Sequence, residues 1–559
     1  MIGFLLEIPM VAGITGLTDL FIEKPSVALE VNRPDVEFIA WGDPVGGEEF
    51  MGRLQEKLSP GDMMNNLYGH YYYLWIKKSS GELVMGNSLF SILPVYYHQR
   101  GGKIVISDNV FRLSKYLGVK EVNKRFVLET VLFNYPLFNS SLYEGINLLP
   151  SNSYIRLSGQ TVSFCRHTET AGLFGKEPLP WKGALKFMPD VFLQSTFKYL
   201  PSKHYACALT GGFDSRTLVA AGLMLQKDFA TYSFGSHRSK DLLLSAELSR
   251  IVGLKHKEIL LGDEYITQGS LIDGKDFIIN SSGTATFARA HYLYATRKLA
   301  AETDCIVTGN FGSEIFRAAH IAGAVISNNL YLLFNARSPE EAFSSIEMSK
   351  EYRCLNMATF DREWRQLQEE IISLPCYDPK YSLLSKNQRF YLFVMEEVFR
   401  KYFGAEMINQ FRHLKNRTPY LDIDFLKEIF RTGLAGIHSG FFEHNPLKRF
   451  KGQVLYSHII RRSYPELGRL ITDKGYLPDD LLTLAGKIRV AVGYFHKKTG
   501  KMAADPDPNN VSLSWESNRD YWMYLPLPDE YFMLPAGNPE EISKEILFRI
   551  CSLSYCINY

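Results

Sequence analysis

The sequence predicts an α/β protein with a β-rich N-terminal part, a parallel-sheet part and a helical C-terminal region. Short apolar and aromatic runs, separated by Gly, Ser and Asn, fill the first part. Strand and helix patterns alternate between residues 204 and 309, and residues 320–470 are mostly helical in pattern. A chain of 559 residues exceeds one ordinary core, so we expect domains at 1–175, 180–500 and 501–559.

The N-terminal domain should contain antiparallel strands. Its first residues are apolar, but they lack a basic region and are interrupted by Glu7, which favours a first strand over a signal peptide. Further strand patterns are GHYYYLWIKK at 69–78, GELVMG at 81–86, PVYYHQ at 94–99, KIVISD at 103–108 and a hairpin at 153–167.

The middle domain should contain a parallel sheet. Strand patterns occur at 204–209, 229–234 and 305–309, and helical patterns fall between them at 216–226, 241–253 and 288–304. Ligands of such sheets bind beyond the carboxyl ends of the strands, so we expect the functional crevice there. The sequence DPDPNN then predicts a turn or linker at the start of the C-terminal extension.

Residues 210–215, TGGFDS, join the first parallel strand to a helix. Gly211 and Gly212 permit a tight turn whose N–H groups face the helix N-terminus, a place that favours anions. Thr210 and Ser215 add hydroxyl donors, and Asp214 suits a divalent cation that accompanies phosphates. The pattern therefore predicts a site for a nucleotide pyrophosphate with Mg²⁺, although two glycines before a helix also occur in ordinary turns and the Walker spacing is absent.

Composition excludes several other classes of protein. The formal charge of +2 gives no electrostatic footprint for nucleic acid. Seven scattered cysteines without a CxxC spacing favour reduced thiols in the cytoplasm over a disulfide framework or a zinc site. No segment has the length of uncharged apolar sequence that a membrane span needs. We therefore expect no nucleic-acid or membrane partner, and the sequence leaves the oligomeric state open.

The segment LTGGFDSR resembles the SGGxDS loop of PP-loop ATP pyrophosphatases, with Thr210 in place of the first serine. Other segments between residues 69 and 430 resemble asparagine synthetases in the family's order, among them LYEGINLLPSNSYIRLSG, IVTGNFGSEIF and NRTPYLDIDFL. The resemblance implies an Ntn-hydrolase-like, class II amidotransferase-like β sandwich at 1–175. It further implies a PP-loop domain, adenine nucleotide α-hydrolase-like, at 180–500, with the extension 501–559 packed on it.

The resemblance also implies a reaction. Family members use ATP and Mg²⁺ to adenylate a carboxylate, with release of pyrophosphate, and an amine then displaces AMP. The family's N-terminal cysteine nucleophile is missing, since the first cysteine is Cys165, so we expect no glutamine hydrolysis. In this respect the chain is similar to β-lactam synthetases and lasso-peptide cyclases, whose substrates are small-molecule or peptide carboxylates with an amine acceptor. A non-catalytic nucleotide-binding scaffold is the alternative.

Several site residues follow from the resemblance alone. It implies that Asp214 and Glu314 bind Mg²⁺, although Glu314 also matches the family's next glutamate, a structural residue. Lys474 matches the catalytic lysine, for which Lys487, Lys497 and Lys498 are alternatives. Phe234 matches the position that binds adenine, or is an ordinary strand end.

Arg289 resembles a family arginine near the substrate, but a salt bridge on a helix face explains it nearly as well, so it is not counted among the catalytic residues.

Overall fold

The structure is a computed structural model. It describes residues 2–10, 16–55, 57–175, 177–316, 325–443, 445, 450–499, 507–526, 528, 530–533 and 542–559. It is a mixed α/β protein with antiparallel sheets near the N-terminus, a parallel sheet later in the chain and a helical C-terminal region, as predicted.

Two antiparallel sheets form the N-terminal part. Their strands are β1 Leu5–Pro9, β2 Phe21–Glu23, β3 Val27–Asn32, β4 Val36–Val45, β5 Tyr68–Lys77, β6 Glu82–Asn87, β7 Tyr96–Arg100, β8 Lys103–Ser107, β9 Asn147–Leu148, β10 Ser153–Ser158 and β11 Thr161–Arg166. One sheet has the order β2-β1-β8-β7-β9 and the other has the order β11-β10-β6-β5-β4-β3. Every predicted strand pattern in this part corresponds to one of these strands.

Strand β5 shows why this part forms a layered core. Its run YYYLWI is apolar at every position because both faces of the strand are buried. On one face Tyr72 meets Phe4, the residue that precedes β1 of the other sheet, with ring centroids 4.9 Å apart in an edge-to-face arrangement. On the other face Tyr71 and Tyr73 join a core with short helices at Gly47–Arg53 and Pro60–Met64.

The second part is built on a parallel sheet. Its strands are β12 Tyr205–Ala208, β13 Phe229–Gly235, β14 His256–Leu260, β15 Cys305–Val307 and β16 Lys415–Arg417, in the order β14-β13-β12-β15-β16. All four pairings are parallel. The predicted strands are β12, β13 and β15, and the two edge strands β14 and β16 were not predicted. Strand β12 lies at the centre, so the loop that follows it opens above the middle of the sheet.

Further helices lie in both parts and extend to the C-terminus. They span Val110–Leu117, Lys124–Phe133, Trp181–Ala184, Met188–Tyr199, Asp214–Met224, Lys240–Ile251, Ser270–Asn280, Ala290–Leu299, Gly312–Phe316, Asn328–Asn335, Pro339–Glu347, Lys350–Arg353, Met357–Ile371, Lys386–Phe393, Gly404–Phe411, Ile423–Ile429, Lys451–Ser463, Pro465–Gly468, Leu484–Thr499, Val511–Met523 and Lys544–Asn558. Two π-helical segments occur at Tyr265–Gly269 and Val394–Phe403.

The last helix contacts both parts of the chain. Phe548 contacts the ring of Phe287 in the parallel-sheet part, with centroids 5.0 Å apart. Arg549 donates a hydrogen bond to the carbonyl of Val131 in the N-terminal part. The helix is buried along most of its length and therefore needs apolar surface from both parts.

A buried ion pair joins the two parts near the central sheet. Arg417 of β16 donates two hydrogen bonds to the carboxylate of Asp43 in β4, at 2.7 and 3.1 Å. Next to it, His70 Nε2 lies 2.7 Å from the hydroxyl of Thr418. A bidentate pair of this kind fixes direction as well as distance, so it orients the chain that continues to Tyr420.

Candidate functional site

A cavity of about 230 Å³ lies where β12 ends. Four residues that the sequence analysis singled out line it: Thr210, Gly212, Asp214 and Lys474. The remaining lining residues are Phe213, Asp241, Ser313, Phe316, Gln453, Tyr456 and Asp473. The cavity thus brings the glycine loop together with the lysine turn, as a binding crevice at the carboxyl end of a parallel sheet requires.

The hydroxyls of the glycine loop hold its turn together. Ser215 Oγ accepts a hydrogen bond from the Thr210 N–H and also lies 3.0 Å from Thr210 Oγ1. The N–H of Gly212 in turn points to Thr210 Oγ1, at 3.3 Å. Thr210 and Ser215 therefore shape the loop in addition to being candidate phosphate donors.

Gly211 lies in a crowded position. A Cβ atom at this residue would lie 2.6 Å from Leu244 Cδ1 and 3.1 Å from Asp473 Cβ. The glycine therefore allows the chain that carries Asp473 and Lys474 to approach the loop closely.

The Asp241 carboxylate is hydrogen-bonded to one of the backbone N–H groups of the glycine loop. Its Oδ1 accepts a hydrogen bond from the Gly211 N–H, at 3.0 Å. Burial raises the pKa of this carboxyl, and the hydrogen bond from Gly211 partly opposes that effect. A carboxylate already sits at a backbone N–H that the glycine loop would otherwise offer to a phosphate.

Lys474 reaches the cavity from a tight turn. The turn closes with a hydrogen bond of 2.9 Å from the Gly475 N–H to the Thr472 carbonyl, and Gly475 has a φ of 85°. The Lys474 ammonium lies 2.9 Å from Asp473 Oδ2. Of the alternatives, Lys487 is exposed on the helix Leu484–Thr499 and does not line the cavity. The side chains of Lys497 and Lys498 lie outside the described residues.

Asp214 has a hydrogen-bond partner that the sequence analysis did not predict. Ser313 Oγ donates a hydrogen bond to Asp214 Oδ2, at 2.5 Å. Glu314 is not among the residues that line the cavity in the described part of the chain, and its carbonyl accepts a hydrogen bond from Tyr391. Consecutive residues of a helix point about 100° apart, so Ser313 and Glu314 face different directions. The role of Glu314 as a Mg²⁺ ligand stays a prediction, and the structure adds Ser313 as a hydrogen-bond partner of Asp214.

Two buried tyrosines support Asp214 from behind. The hydroxyl of Tyr420 donates a hydrogen bond to the Asp214 carbonyl, at 2.9 Å. Tyr456 lines the cavity, and burial together with the charge of Asp214 raises the pKa of its hydroxyl well above the usual value. Both hydroxyls therefore stay protonated and remain hydrogen-bond donors at neutral pH.

Phe234 and Arg289 lie away from the lining. Phe234 is half-buried, and its ring packs against His291 and Tyr292 with centroids 5.9 and 5.7 Å away. Arg289 forms a salt bridge, which was the alternative to a role near the substrate. Its guanidinium lies 3.3 Å from Glu406 Oε2 and 4.1 Å from the Tyr402 ring centroid.

The acidic residues of the cavity offer few ligands for a metal ion. Within the described ranges, no group of three His, Cys, Asp or Glu residues is arranged to hold a metal ion. Asp214 offers one carboxylate, and Mg²⁺ in nucleotide sites commonly takes one or two carboxylates with the rest of its ligands from phosphate and water. The donor set therefore fits a Mg²⁺ that arrives with a nucleotide, and it does not fit an ion held by the protein alone.

All seven cysteines are free thiols.

Comparisons with known proteins give little information about the family or the function of this chain. No family model matches the chain, and no curated protein sequence matches it. Among solved structures, glutamine phosphoribosylpyrophosphate (PRPP) amidotransferase from B. subtilis, complexed with ADP and GMP, matches at 7% identity with a TM-score of 0.17. The match covers 44% of this chain and 50% of the amidotransferase, so the chain spans about half of that protein's length. A TM-score this low supports no conclusion about ligands or activity.

No helix within the described residues is long and apolar enough to cross a bilayer.

Sequence reasoning missed four polar residues of the cavity: Asp241, Ser313, Gln453 and Asp473. Asp241 could have been predicted from the sequence, because it lies in the first turn of the helix after β13 and so near the carboxyl edge of the sheet. Asp473 and Ser313 are direct neighbours of the predicted Lys474 and Glu314. Gln453 lies in the helix Lys451–Ser463 and carried no sequence signal.

Proposed function

We propose that this chain is an ATP-dependent carbon–nitrogen ligase of the asparagine synthetase type, which adenylates a carboxylate and transfers the acyl group to an amine. One observation carries the proposal: Thr210, Gly212 and Asp214 of the glycine loop line a single cavity with Lys474 at the end of the central strand, while Gly211 and Ser215 lie behind this lining. The Ntn-hydrolase-like interpretation of residues 1–175 and the PP-loop interpretation of residues 180–500 belong to this proposal, as does a cytoplasmic location.

The charges of the cavity support a nucleotide with its cation. Among the described residues of the lining, the carboxylates of Asp214, Asp241 and Asp473 face the ammonium of Lys474. Three carboxylates close together repel free phosphate, so a polyphosphate should bind together with a divalent cation. Asp214 would hold Mg²⁺, which would neutralise phosphate charge. Thr210, Gly212 and Ser215 would donate hydrogen bonds to the pyrophosphate.

The proposed reaction has two steps. A carboxylate oxygen attacks the α-phosphorus of ATP, and the bond to the bridging oxygen breaks to release pyrophosphate. The amine nitrogen then attacks the acyl carbon, loses a proton, and AMP leaves with the former carboxylate oxygen. Lys474 would stabilise the charge that accumulates on the phosphates in both steps.

The amine should come from the acceptor substrate and not from glutamine. The first cysteine of this sequence is Cys165, so residues 1–164 offer no thiol that could attack glutamine. The carboxylate and the amine are therefore proposed to be small molecules or parts of a peptide, and peptide or lactam cyclisation is one form of this reaction.

One observation favours a second candidate, a non-catalytic protein that binds a nucleotide as a scaffold. Ser313 supplies a hydroxyl next to Asp214 where a second carboxylate would strengthen a metal site, and Asp241 occupies the Gly211 N–H. A site with one metal-binding carboxylate and a partly occupied phosphate loop can bind ATP without turning it over.

Pyrophosphate exchange separates the two candidates. The wild-type protein is incubated with ATP, Mg²⁺, labelled pyrophosphate and a panel of amino acids, peptides and small carboxylic acids. A ligase incorporates label into ATP with at least one carboxylate, and Asp214→Asn reduces the rate by about 100-fold or more. Asp361→Asn, on an exposed helix surface, is the matched control. ATP binding without exchange, unchanged in Asp214→Asn, would favour the scaffold.

A further inference from the structure

Arg216 is a buried arginine whose role the proposed function leaves open. It lies in the first turn of the helix Asp214–Met224, directly after the glycine loop, and its exposed fraction is 0%. The ion pairs found in the described part of the chain do not include it. Burial lowers the pKa of its guanidinium to about 10, which still leaves the group charged at neutral pH.

The hydrogen bonds of Arg216 go to two segments of backbone. Nη1 donates to the carbonyls of Leu467 and Leu470, at 3.2 and 2.6 Å. Nη2 donates to the carbonyl of Ile471 at 2.8 Å and to that of Gly211 at 3.3 Å. The guanidinium thus connects the glycine loop to the three residues that precede the lysine turn.

The lysine turn continues this connection. The N–H of Asp473 donates to the carbonyl of Gly211, at 3.0 Å, so Gly211 accepts from both Arg216 and Asp473. Thr472 Oγ1 donates to the carbonyl of Tyr476, at 2.7 Å, which closes the turn around Lys474. A displacement of residues 470–472 would therefore move the Lys474 ammonium relative to Asp214.

Burying the charged guanidinium of Arg216 at this position costs folding free energy. Its Nε–H is buried and finds no acceptor among the described residues. An apolar side chain of similar volume would avoid the desolvation of a charge. The planar fork of an arginine can donate to several carbonyls at once in a fixed geometry, which neither lysine nor methionine can do.

We propose that Arg216 is a positioning residue for the proposed ligase reaction: it fastens the segment 467–471 to the glycine loop and thereby sets the position of Lys474 over the phosphate site. The inference rests on the proposed function for the role of Lys474. The connection between Arg216 and the lysine turn rests on the observed hydrogen bonds.

Two variants test the connection, Arg216→Lys and Arg216→Met. Arg549→Lys is the matched control, because Arg549 is also buried, has a pKa lowered to about 10 and donates to a backbone carbonyl, but lies in the last helix. Hydrogen exchange of a peptide covering residues 467–476 should become about tenfold faster in both Arg216 variants, corresponding to about 1.4 kcal/mol of lost protection. It should stay unchanged in Arg549→Lys. Unchanged exchange in the Arg216 variants, or an equal increase in the control, would overturn the proposal.

A double-mutant cycle tests the coupling to Lys474. Arg216→Lys should reduce kcat for pyrophosphate exchange by about 100-fold, with little change in KM for ATP, because a displacement of about 1 Å misplaces the ammonium in the transition state. In a Lys474→Ala background the same change should reduce kcat by less than about twofold. Additive losses indicate a general structural role and overturn the proposal.

The two failures remain distinguishable. Suppose that the wild-type protein shows no pyrophosphate exchange, but that hydrogen exchange of residues 467–476 becomes faster in Arg216→Lys and not in the Arg549→Lys control. The proposed reaction is then wrong, and the connection through Arg216 stands. If pyrophosphate exchange is active and the cycle is additive, the reaction stands and the positioning role is wrong.

Discussion

Replacing Asp241 with asparagine should tighten nucleotide binding. In the structure the Asp241 carboxylate accepts the Gly211 N–H at 3.0 Å and lines the same cavity as Asp473. A phosphate that uses this N–H must displace the carboxylate. Asparagine keeps the shape and a carbonyl acceptor but removes the charge, so it competes with phosphate less strongly.

The magnitude follows from the strength of the bond. A hydrogen bond to a charged group contributes about 1.5–3 kcal/mol, and a neutral one contributes about 0.5–1.5 kcal/mol. The difference of about 1–1.4 kcal/mol corresponds to a Kd for ATP with Mg²⁺ that is about fivefold to tenfold lower in Asp241→Asn. Weaker repulsion between the cavity and the phosphates acts in the same direction.

Isothermal titration calorimetry with ATP and Mg²⁺, and with pyrophosphate and Mg²⁺, measures this effect. Asp190→Asn is the matched control, because Asp190 also lies in the first turn of a helix but pairs with Arg462 outside the cavity. A Kd that rises in Asp241→Asn would refute the reasoning, since it would mean that the carboxylate holds the loop in its binding conformation. An unchanged Kd would show that phosphate does not use the Gly211 N–H.

The same substitution should change stability with a defined sign. Burial raises the pKa of Asp241, so its ionised form is less favourable in the folded than in the unfolded protein. The wild-type protein therefore loses stability as the pH rises from the unfolded pKa of this carboxyl through its higher folded pKa. Asp241→Asn should raise Tm at neutral pH, and the gain should disappear in thermal melts below about pH 4.

Three further substitutions have definite expected outcomes. Ser313→Asp adds a carboxylate beside Asp214 and should lower the Kd for Mn²⁺ about tenfold in calorimetry with a non-hydrolysable ATP analogue, whereas Ser313→Asn should not. Gly312→Ala places a Cβ atom 2.8 Å from the Tyr456 hydroxyl and should cost about 1–3 kcal/mol in denaturant unfolding, whereas Gly52→Ala, with open space around it, should not. Burial lowers the pKa of His70 to about 4, so the free energy of unfolding of the wild type should fall as the pH drops from about 6.5 towards 4. This residue contributes at most about 1.4 kcal/mol per pH unit. His70→Gln should flatten the measured curve of stability against pH in that range, and an identical curve would contradict the prediction.

Much of the fold could be predicted because its signals are local. Strands β5, β12 and β13 are runs of apolar and aromatic residues, and the helix Lys240–Ile251 shows apolar spacing and ends near a glycine. Strand β16 could not be predicted, since its three residues, Lys-Asn-Arg, have no apolar pattern. It is a strand only because β15 offers it an edge with free hydrogen-bonding groups.

The sequence by itself determined that a glycine loop with Thr210, Asp214 and Ser215 joins a strand to a helix, because turn geometry and helix termini depend on neighbouring residues. Only the tertiary structure decided which other groups meet this loop. Asp241 lies 30 residues along the chain from Gly211, and its approach depends on the packing of two strands and a helix. The hydrogen bond from Ser313 to Asp214 likewise depends on the rotation of one short helix, which no local pattern specifies.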